Sequence, residues 1–366
     1  MSTHKPIELG GGNTIQTLLE AAEAYPAILD AITDAKESIR FANYCMVPGE
    51  AFGRFGEALA EAAGRGVAVQ IMLDRYGSQD TYPQHLAALL EAGVELRWKR
   101  EFEPRHPFRY NQGLHKKLLI IDNKNGFLGG VGIGDFWLGS TPRYPAAWRD
   151  THFAVTGAVV GALTSAFDQS WEGEKAQPLP GYDTTTPINS QSKGWPQLAP
   201  VGKTMLDLIA ATTKQLNITT GYFGPSRPIA RALRAAARRG VRIRVLTNGP
   251  YCTHIAARDA GRHLYGPLLA AGIHIYEYQP TKIHAKVITS DGPTSLIGSA
   301  NLNFRSLYHD EEFSLLIRNR TLTTQLDEQF EHDLKSAQEI TPTAWAQRPA
   351  IARIRQATAS LARYIF

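Results

Sequence analysis

One structural unit occurs twice in this chain, and the duplication constrains the fold more than any other feature. Phe55–Gly66 is rich in Ala and Leu at helical spacing, and it runs into the apolar stretch Val67–Leu73. Ile229–Gly240 followed by Val241–Leu246 repeats the pattern. A glycine ends each helical stretch, where it relieves left-handed strain. The β-branched runs that follow suit strands covered by helices. A strand is predicted before each unit, around Ser38–Met46 and Gln215–Phe223. A helix is predicted after it, at Pro83–Ala92 and His263–Ala271, then a strand at Val94–Trp98 and Ile273–Tyr278. This alternation predicts an α/β fold of two pseudo-symmetric lobes, each a mixed β-sheet flanked by helices. The boundaries read as a first lobe at 1–173, a linker at 174–203 and a second lobe at 204–366. Glu174–Lys203 is rich in Pro, Gly, Ser, Thr and Gln and has no period, so it reads equally as a linker or an irregular insertion.

The second duplicated feature carries chemistry. His115-Lys116-Lys117 leads to Asp122, and His284-Ala285-Lys286 leads to Asp291, both in the form H-x-K-x4-D. Residues two apart on a strand share a face, so each His and Lys project together. A small-residue turn follows each motif, Gly129-Gly130-Val131-Gly132 and Gly298-Ser299-Ala300-Asn301. A carboxylate follows each turn, Asp150 and Glu312. One copy is weak evidence, but two copies at equivalent places of a repeat are strong.

Two histidines and two lysines converging on one point suit a phosphoryl centre at the lobe interface. Ammonium groups neutralise the non-bridging oxygens where charge builds up. A neutral imidazole attacks phosphorus and forms a phosphohistidine. A second imidazole donates to the leaving oxygen and then takes the acceptor's proton. The carboxylates each hold an imidazole by its other nitrogen. This chemistry requires no metal and no cofactor.

Composition narrows the alternatives. The 366 residues are 43% apolar and 20% charged, which excludes global disorder. Two cysteines, Cys45 and Cys252, exclude a disulfide scaffold and a cysteine zinc site, and read as free thiols. No run approaches the length of a membrane span, and Met1–Gly12 lacks a signal-peptide core, so a cytoplasmic location is expected, with a peripheral membrane role open. The formal charge of +5 suits an anionic partner.

Tandem motifs, turns and carboxylates together resemble the phospholipase D superfamily, and within it bacterial cardiolipin synthases. Asn111–Asp122, Trp148–Gly157, Gly221–Pro225 with Arg238–Val241, and Gly298–Asn303 with Arg305, Ser306 and Glu312 carry the resemblance. It implies two phospholipase D-like lobes around one site. His115 becomes the nucleophile and His284 the general acid/base. Lys117, Lys286 and Asn301 grip the phosphate, Asp150 and Glu312 orient the histidines, and Asp122 and Asp291 are structural. The implied substrate is phosphatidylglycerol, joined to a second molecule to give cardiolipin at the inner face of the cell membrane. The implied enzyme works as a monomer and without nucleic acid. A hydrolase with the same intermediate, a nuclease and a membrane-binding protein with a decayed site are the rival readings. Three departures stand out: Gly132 in place of Asn, Gly113 in place of Arg, and Asn303 in place of Asp.

Three further segments bear on the substrate. Phe136–Trp148 is an aromatic loop that either lines a path for acyl chains or caps the core. Ala350–Phe366 places Ile351, Ile354, Leu361 and Ile365 on one helical stripe, with Arg353, Arg355 and Arg363 elsewhere around it. Docking of that stripe on its own lobe is expected, and an interfacial anchor is the alternative. Arg231, Arg234, Arg238, Arg239, Arg242 and Arg244 form a basic cluster, expected to be a solvated and partly paired face.

Overall fold

The computed structural model describes residues 4–100, 111–192 and 196–361. The first lobe begins with β1 (Ile7–Gly10), β2 (Asn13–Leu19), α1 (Glu20–Asp34) and β3 (Ser38–Asn43). The repeated unit follows as α2 (Glu50–Gly64) and β4 (Ala68–Asp74), then α3 (Pro83–Glu91) and β5 (Glu95–Lys99). The first motif runs into β6 (Leu118–Ile121), and β7 (Asn125–Gly129), β8 (Thr151–Thr156) and α4 (Val160–Trp171) complete the lobe.

The second lobe repeats this order. It comprises β9 (Thr185–Ser190), α5 (Pro200–Ala211), β10 (Gln215–Thr220), α6 (Arg227–Arg238) and β11 (Arg242–Asn248). Next come α7 (Ile255–Arg262), α8 (Tyr265–Leu269), β12 (His274–Tyr278), β13 (Lys286–Ser290) and β14 (Thr294–Gly298). The chain then forms α9 (Phe304–Tyr308), β15 (Glu312–Arg318), α10 (Arg320–Leu334), β16 (Ala337–Glu339), α11 (Pro342–Ala346) and α12 (Ala350–Leu361).

Each lobe holds one eight-stranded mixed sheet. Their orders, β1-β2-β8-β7-β6-β3-β4-β5 and β16-β12-β11-β10-β13-β14-β15-β9, superpose when one is reversed, apart from β1 and β16 at opposite edges. The α/β reading therefore holds. Strands joined by helix crossovers are parallel, as in β3–β4–β5 and β10–β11–β12, whereas the motif hairpins β6–β7–β8 and β13–β14–β15 are antiparallel.

The segment 174–203, read as a linker or an irregular insertion, holds regular structure. Thr185–Ser190 is a strand, β9, paired antiparallel with β15, and Pro200 already opens α5. By its place in the sheet β9 repeats β2, so the second half of the duplication starts inside 174–203. Pro187 on an edge strand, where a missing N–H costs nothing, disguises it as a loop.

The two sheets share a core. Leu118, Leu128 and Phe153 of the first lobe belong to one buried apolar cluster with Val287, Ile297, Phe313 and Leu315 of the second. Two further clusters lie between each sheet and its outer helices. Cys45 and Cys252 are both free thiols.

At the C-terminus the expected docking face is reversed. In α12 the buried residues are Gln356 and Ser360, while Ile351, Ile354 and Leu361 are 73%, 63% and 80% exposed. Arg355 fixes the orientation by reaching the buried Asp259 of α7 at 2.5 Å, and Arg348 by bonding Gln356 at 3.1 Å. Arg363 and Ile365 lie outside the described residues. The aromatic loop packs inward: Trp137, Tyr144 and Trp148 are buried and join the first lobe's core. Of the basic cluster, Arg244 pairs with Glu331 at 2.7 Å and Arg239 donates to the carbonyls of Ile209, Ala210 and Thr212, while Arg231, Arg234 and Arg238 are exposed.

Candidate active site

Both motifs lie where the sheets meet, and each is held by the other lobe. His115 N–H donates to the Glu311 carbonyl and Glu311 N–H to the Gly113 carbonyl. By symmetry, His284 N–H donates to the Arg149 carbonyl and Arg149 N–H to that of Lys282. Each histidine segment is thus paired with the backbone that carries the other lobe's carboxylate. The side chains follow. His115 Nδ1 lies 2.9 and 3.0 Å from the two Glu312 oxygens, and His284 Nδ1 lies 2.9 Å from Asp150 Oδ2.

The turns explain this arrangement. Gly129 and Gly298 have φ of +148° and +149°, a region open to glycine. A Cβ on Gly129 would lie 2.7 Å from His152 Cα, and one on Gly298 2.7 Å from Ser314 Cα. Without side chains, the turns let the carboxylate strands approach closely.

All four motif side chains are buried, with His115 the most open at 9%. Both carboxylates accept from imidazole, which places the proton on Nδ1 and leaves each Nε2 lone pair unused. Burial pushes His115 below the usual imidazole range, against the opposing charge of Glu312, with Lys117 adding to the push. Burial pushes His284 well below it, reinforced by Lys286, Lys282, Lys117 and His115. Burial also brings Lys117 down to about 8, while Glu312 opposes it. Lys286 lies far lower than an ordinary lysine for the same reason, with Asp150 opposing. Burial would raise Glu312, yet His115, Lys117 and Ser299 together hold it at about 2.

The carboxylates are themselves held. Glu312 accepts from Ser306 Oγ at 2.6 Å and from Ser299 Oγ. Asp150 accepts from Trp137 Nε1 at 3.0 Å and from Thr151 N–H at 2.8 Å. Lys117 Nζ donates to the His115 carbonyl at 2.8 Å, and Lys286 Nζ to that of His284. Asn301 is buried beside His284, with Oδ1 3.4 Å from Thr220 Oγ1. Asp122 and Asp291 lie at the far ends of β6 and β13. Each accepts three backbone N–H groups, from Lys36–Ser38 and Thr213–Gln215 respectively, and neither reaches the histidines.

Each of the three departures has a structural account. A Cβ on Gly132 would lie 2.7 Å from the Trp137 ring, so the indole fills the space beside the first turn. A Cβ on Gly113 would strike the Arg100 guanidinium, which pairs with Asp74 at 3.3 Å and Asp310 at 3.4 Å. Arg100 therefore occupies the place where a side chain at 113 would begin. Asn303 caps α9 by accepting from Ser306 N–H at 3.2 Å, a task that amide and carboxylate oxygens share.

Lys282 and Tyr44 near the site were not singled out by the sequence, whereas Trp137 and Trp148 belong to the aromatic loop Phe136–Trp148 that it marked. Lys282 is buried with Nζ 3.7 Å from the centre of the Trp148 ring and 2.5 Å from Thr253 Oγ1. Its position two before His284 is the strand-alternation signal that could have flagged it. Trp137 and Trp148 stand 5.8 and 5.6 Å from the His284 ring, and Tyr44 stands 5.1 Å from His115. No periodicity points to contacts between lobes.

Two repeated lobes closed around crossed His–carboxylate pairs define a phospholipase D-like protein, and comparisons place it more narrowly. The family model for "Cardiolipin synthase, PLD-like domain" matches residues 28–136 and 205–334. A cardiolipin synthase 2 of Bacillus anthracis is 31% identical over 94% of this chain and 69% of its own length. A probable cardiolipin synthase of Bacillus subtilis is 29% identical over 95% of this chain and 71% of its own. A phosphatidylserine synthase of Haemophilus influenzae superposes with a TM-score of 0.76 at 15% identity, covering 99% of this chain and 97% of its own, and so shares the fold. The chain belongs to the phospholipase D-like cardiolipin synthase family.

Proposed function

We propose that this chain is a phosphatidyltransferase that converts two phosphatidylglycerol molecules into cardiolipin and glycerol. The observation that carries the reading is the crossed pairing, which holds both imidazoles by Nδ1 with both motif lysines within their electrostatic reach. His115 Nε2 attacks the phosphorus of the donor lipid. The P–O bond to glycerol breaks, and the alkoxide leaves with a proton from His284. A hydroxyl of the second phosphatidylglycerol then gives its proton to His284 and attacks phosphorus. The P–N bond breaks, cardiolipin departs and His115 is restored.

The electrostatics support this division of labour. Each imidazole has a carboxylate partner at 2.9 Å, but more lysines press on His284 than on His115, so His115 takes the nucleophile's part. His284 is crowded by cations, so its protonated form is the stronger acid. A bound phosphodiester offsets the charges of Lys117 and Lys286 and lets His284 hold its proton until the leaving group needs it. Asn301 adds a neutral grip on the phosphate, and Asp122 and Asp291 brace the loops behind the site.

Membrane contact is assigned to α12. Its Ile351, Ile354 and Leu361 face outward, with Arg353 on the same helix, the composition of a helix that lies in an anionic lipid surface. Among the described residues no helix is long and apolar enough to cross a membrane. Peripheral attachment at the inner face, as a monomer with one site per chain, fits these features. The test is lipid mass spectrometry after incubation with phosphatidylglycerol vesicles, beside His115→Ala. Cardiolipin formed only by the intact protein is the expected result. Phosphatidic acid as sole product would replace the transferase by a hydrolase.

A further inference from the structure

The two lobes treat equivalent helix starts in opposite ways. Met46 bridges to Ile133, and Phe223 bridges to Leu302, which fixes the correspondence between them. By that register Gly49 matches Ser226, Glu50 matches Arg227, Arg54 matches Arg231 and Asp135 matches Phe304. In the first lobe, Asp135 accepts from the Glu50 and Ala51 N–H groups at 3.1 and 2.9 Å. The chain's own carboxylate thus closes the positive end of α2. In the second lobe Phe304 stands in place of that carboxylate. Ser226, the N-cap of α6, is only 8% exposed, and its hydroxyl has no hydrogen-bond partner among the described residues. Arg227 and Arg231 are exposed next to it, and neither has a carboxylate partner among the described residues.

This open helix start borders a cavity of about 400 Å³. Phe223, Leu264, Phe304 and Tyr308 give it apolar walls, and Ser226, Arg227 and Arg231 are its polar edge. That size and mixture suit an amphiphile with an apolar body and a few fixed polar contacts. Two consecutive residues lie between the cavity and the reacting centre. A Cβ on Gly221 would lie 3.3 Å from His284 Cδ2, and Tyr222, next in the chain, lines the cavity and stands 5.4 Å from Lys282 Nζ.

We propose that this cavity seats the accepting phospholipid, with its phosphate at the start of α6 against Arg227 and Arg231 and an acyl chain between the apolar walls. The inference rests on the transferase reading, because that reaction brings together two phosphate-bearing lipids. The motif lysines hold the phosphate that reacts. The second phosphate needs its own cationic seat, and the first lobe closes the equivalent position with Asp135.

The test compares intact chain, the double variant Arg227→Glu/Arg231→Glu, and Ala257→Trp, which fills the cavity. Acidic residues favour a helix start, so the double variant keeps α6 stable while reversing its charge. Calorimetry would follow the binding of monomeric dihexanoyl phosphatidylglycerol, chain-free glycerophosphoglycerol and inorganic phosphate. The short-chain lipid should bind at least about tenfold more tightly than either chain-free anion, and both variants should lose about tenfold or more of that affinity. In cardiolipin synthesis, KM should rise by a similar factor. The burst of nitrophenolate from a phosphatidyl nitrophenyl ester, which needs no acceptor, should stay unchanged. Equal binding of inorganic phosphate and lipid would overturn the proposal, as would unchanged affinity in both variants. A burst that falls while KM rises would also overturn it, by assigning the cavity to the donor. Should the intact chain make no cardiolipin, the transferase reading fails, while the binding comparison still judges the cavity.

Discussion

At the scale of single residues, the site depends on which imidazole nitrogen is engaged. Glu312 fixes His115 with Nε2 free, and Ser299 and Ser306 fix Glu312 in turn. Glu312→Gln keeps the shape but offers a donor where an acceptor is needed, so turnover should fall by about 10²–10⁴-fold with little loss of lipid binding, as kcat and KM measured separately would show. Lys117 contributes one alkaline limb. It is charged below its value of about 8 and loses that charge as pH rises through it. The kcat/KM profile, which reports the free enzyme, should therefore fall above about pH 8. The kcat profile should fall later, because a bound phosphate holds the proton on. Coincident alkaline limbs in the two profiles would remove Lys117 from this role. The pairs His115/Lys117 and His284/Lys286 were legible in the sequence because strand alternation puts each pair on one face. Lys282 and Arg100 were not, because their partners come from distant segments, and Trp137 was legible only as part of the aromatic loop Phe136–Trp148.

At the scale of elements, legibility followed periodicity. The unit α2–β4 and its repeat α6–β11 could be read from apolar spacing and a terminal glycine. β9 could not, because it lies at a sheet edge and contains Pro187. The helix α12 was legible as amphipathic, but not which face it buries. Its docking is decided by the Arg355–Asp259 pair and by Gln356, whose partners lie on other elements. The exposed face is the one to which the proposed membrane contact is assigned. Replacing Ile351, Ile354 and Leu361 together with Ser should lower binding to phosphatidylglycerol vesicles at least tenfold, since burying each such side chain contributes about 1.5–3 kcal/mol. Circular dichroism and the nitrophenolate burst should be unchanged. Vesicle flotation equal to that of the intact chain would place the membrane contact elsewhere.

At the scale of the whole molecule, duplication and crossing are one fact. The two sheets share a core, and each lobe's histidine is paired with the other lobe's carboxylate strand. The sequence announced two halves and two sets of groups. It could not say that Glu312 serves His115 and Asp150 serves His284, because pairing across a pseudo-twofold axis leaves no mark on either segment. The most direct test of the account uses His284→Ala with a phosphatidyl nitrophenyl ester, whose leaving group needs no proton. Without His284 the acceptor is not activated, so the covalent intermediate should accumulate. The account predicts about one nitrophenolate released per chain and a phosphatidyl adduct on the peptide containing His115, found by mass spectrometry. Steady release without an adduct, or an adduct on another residue, would contradict it.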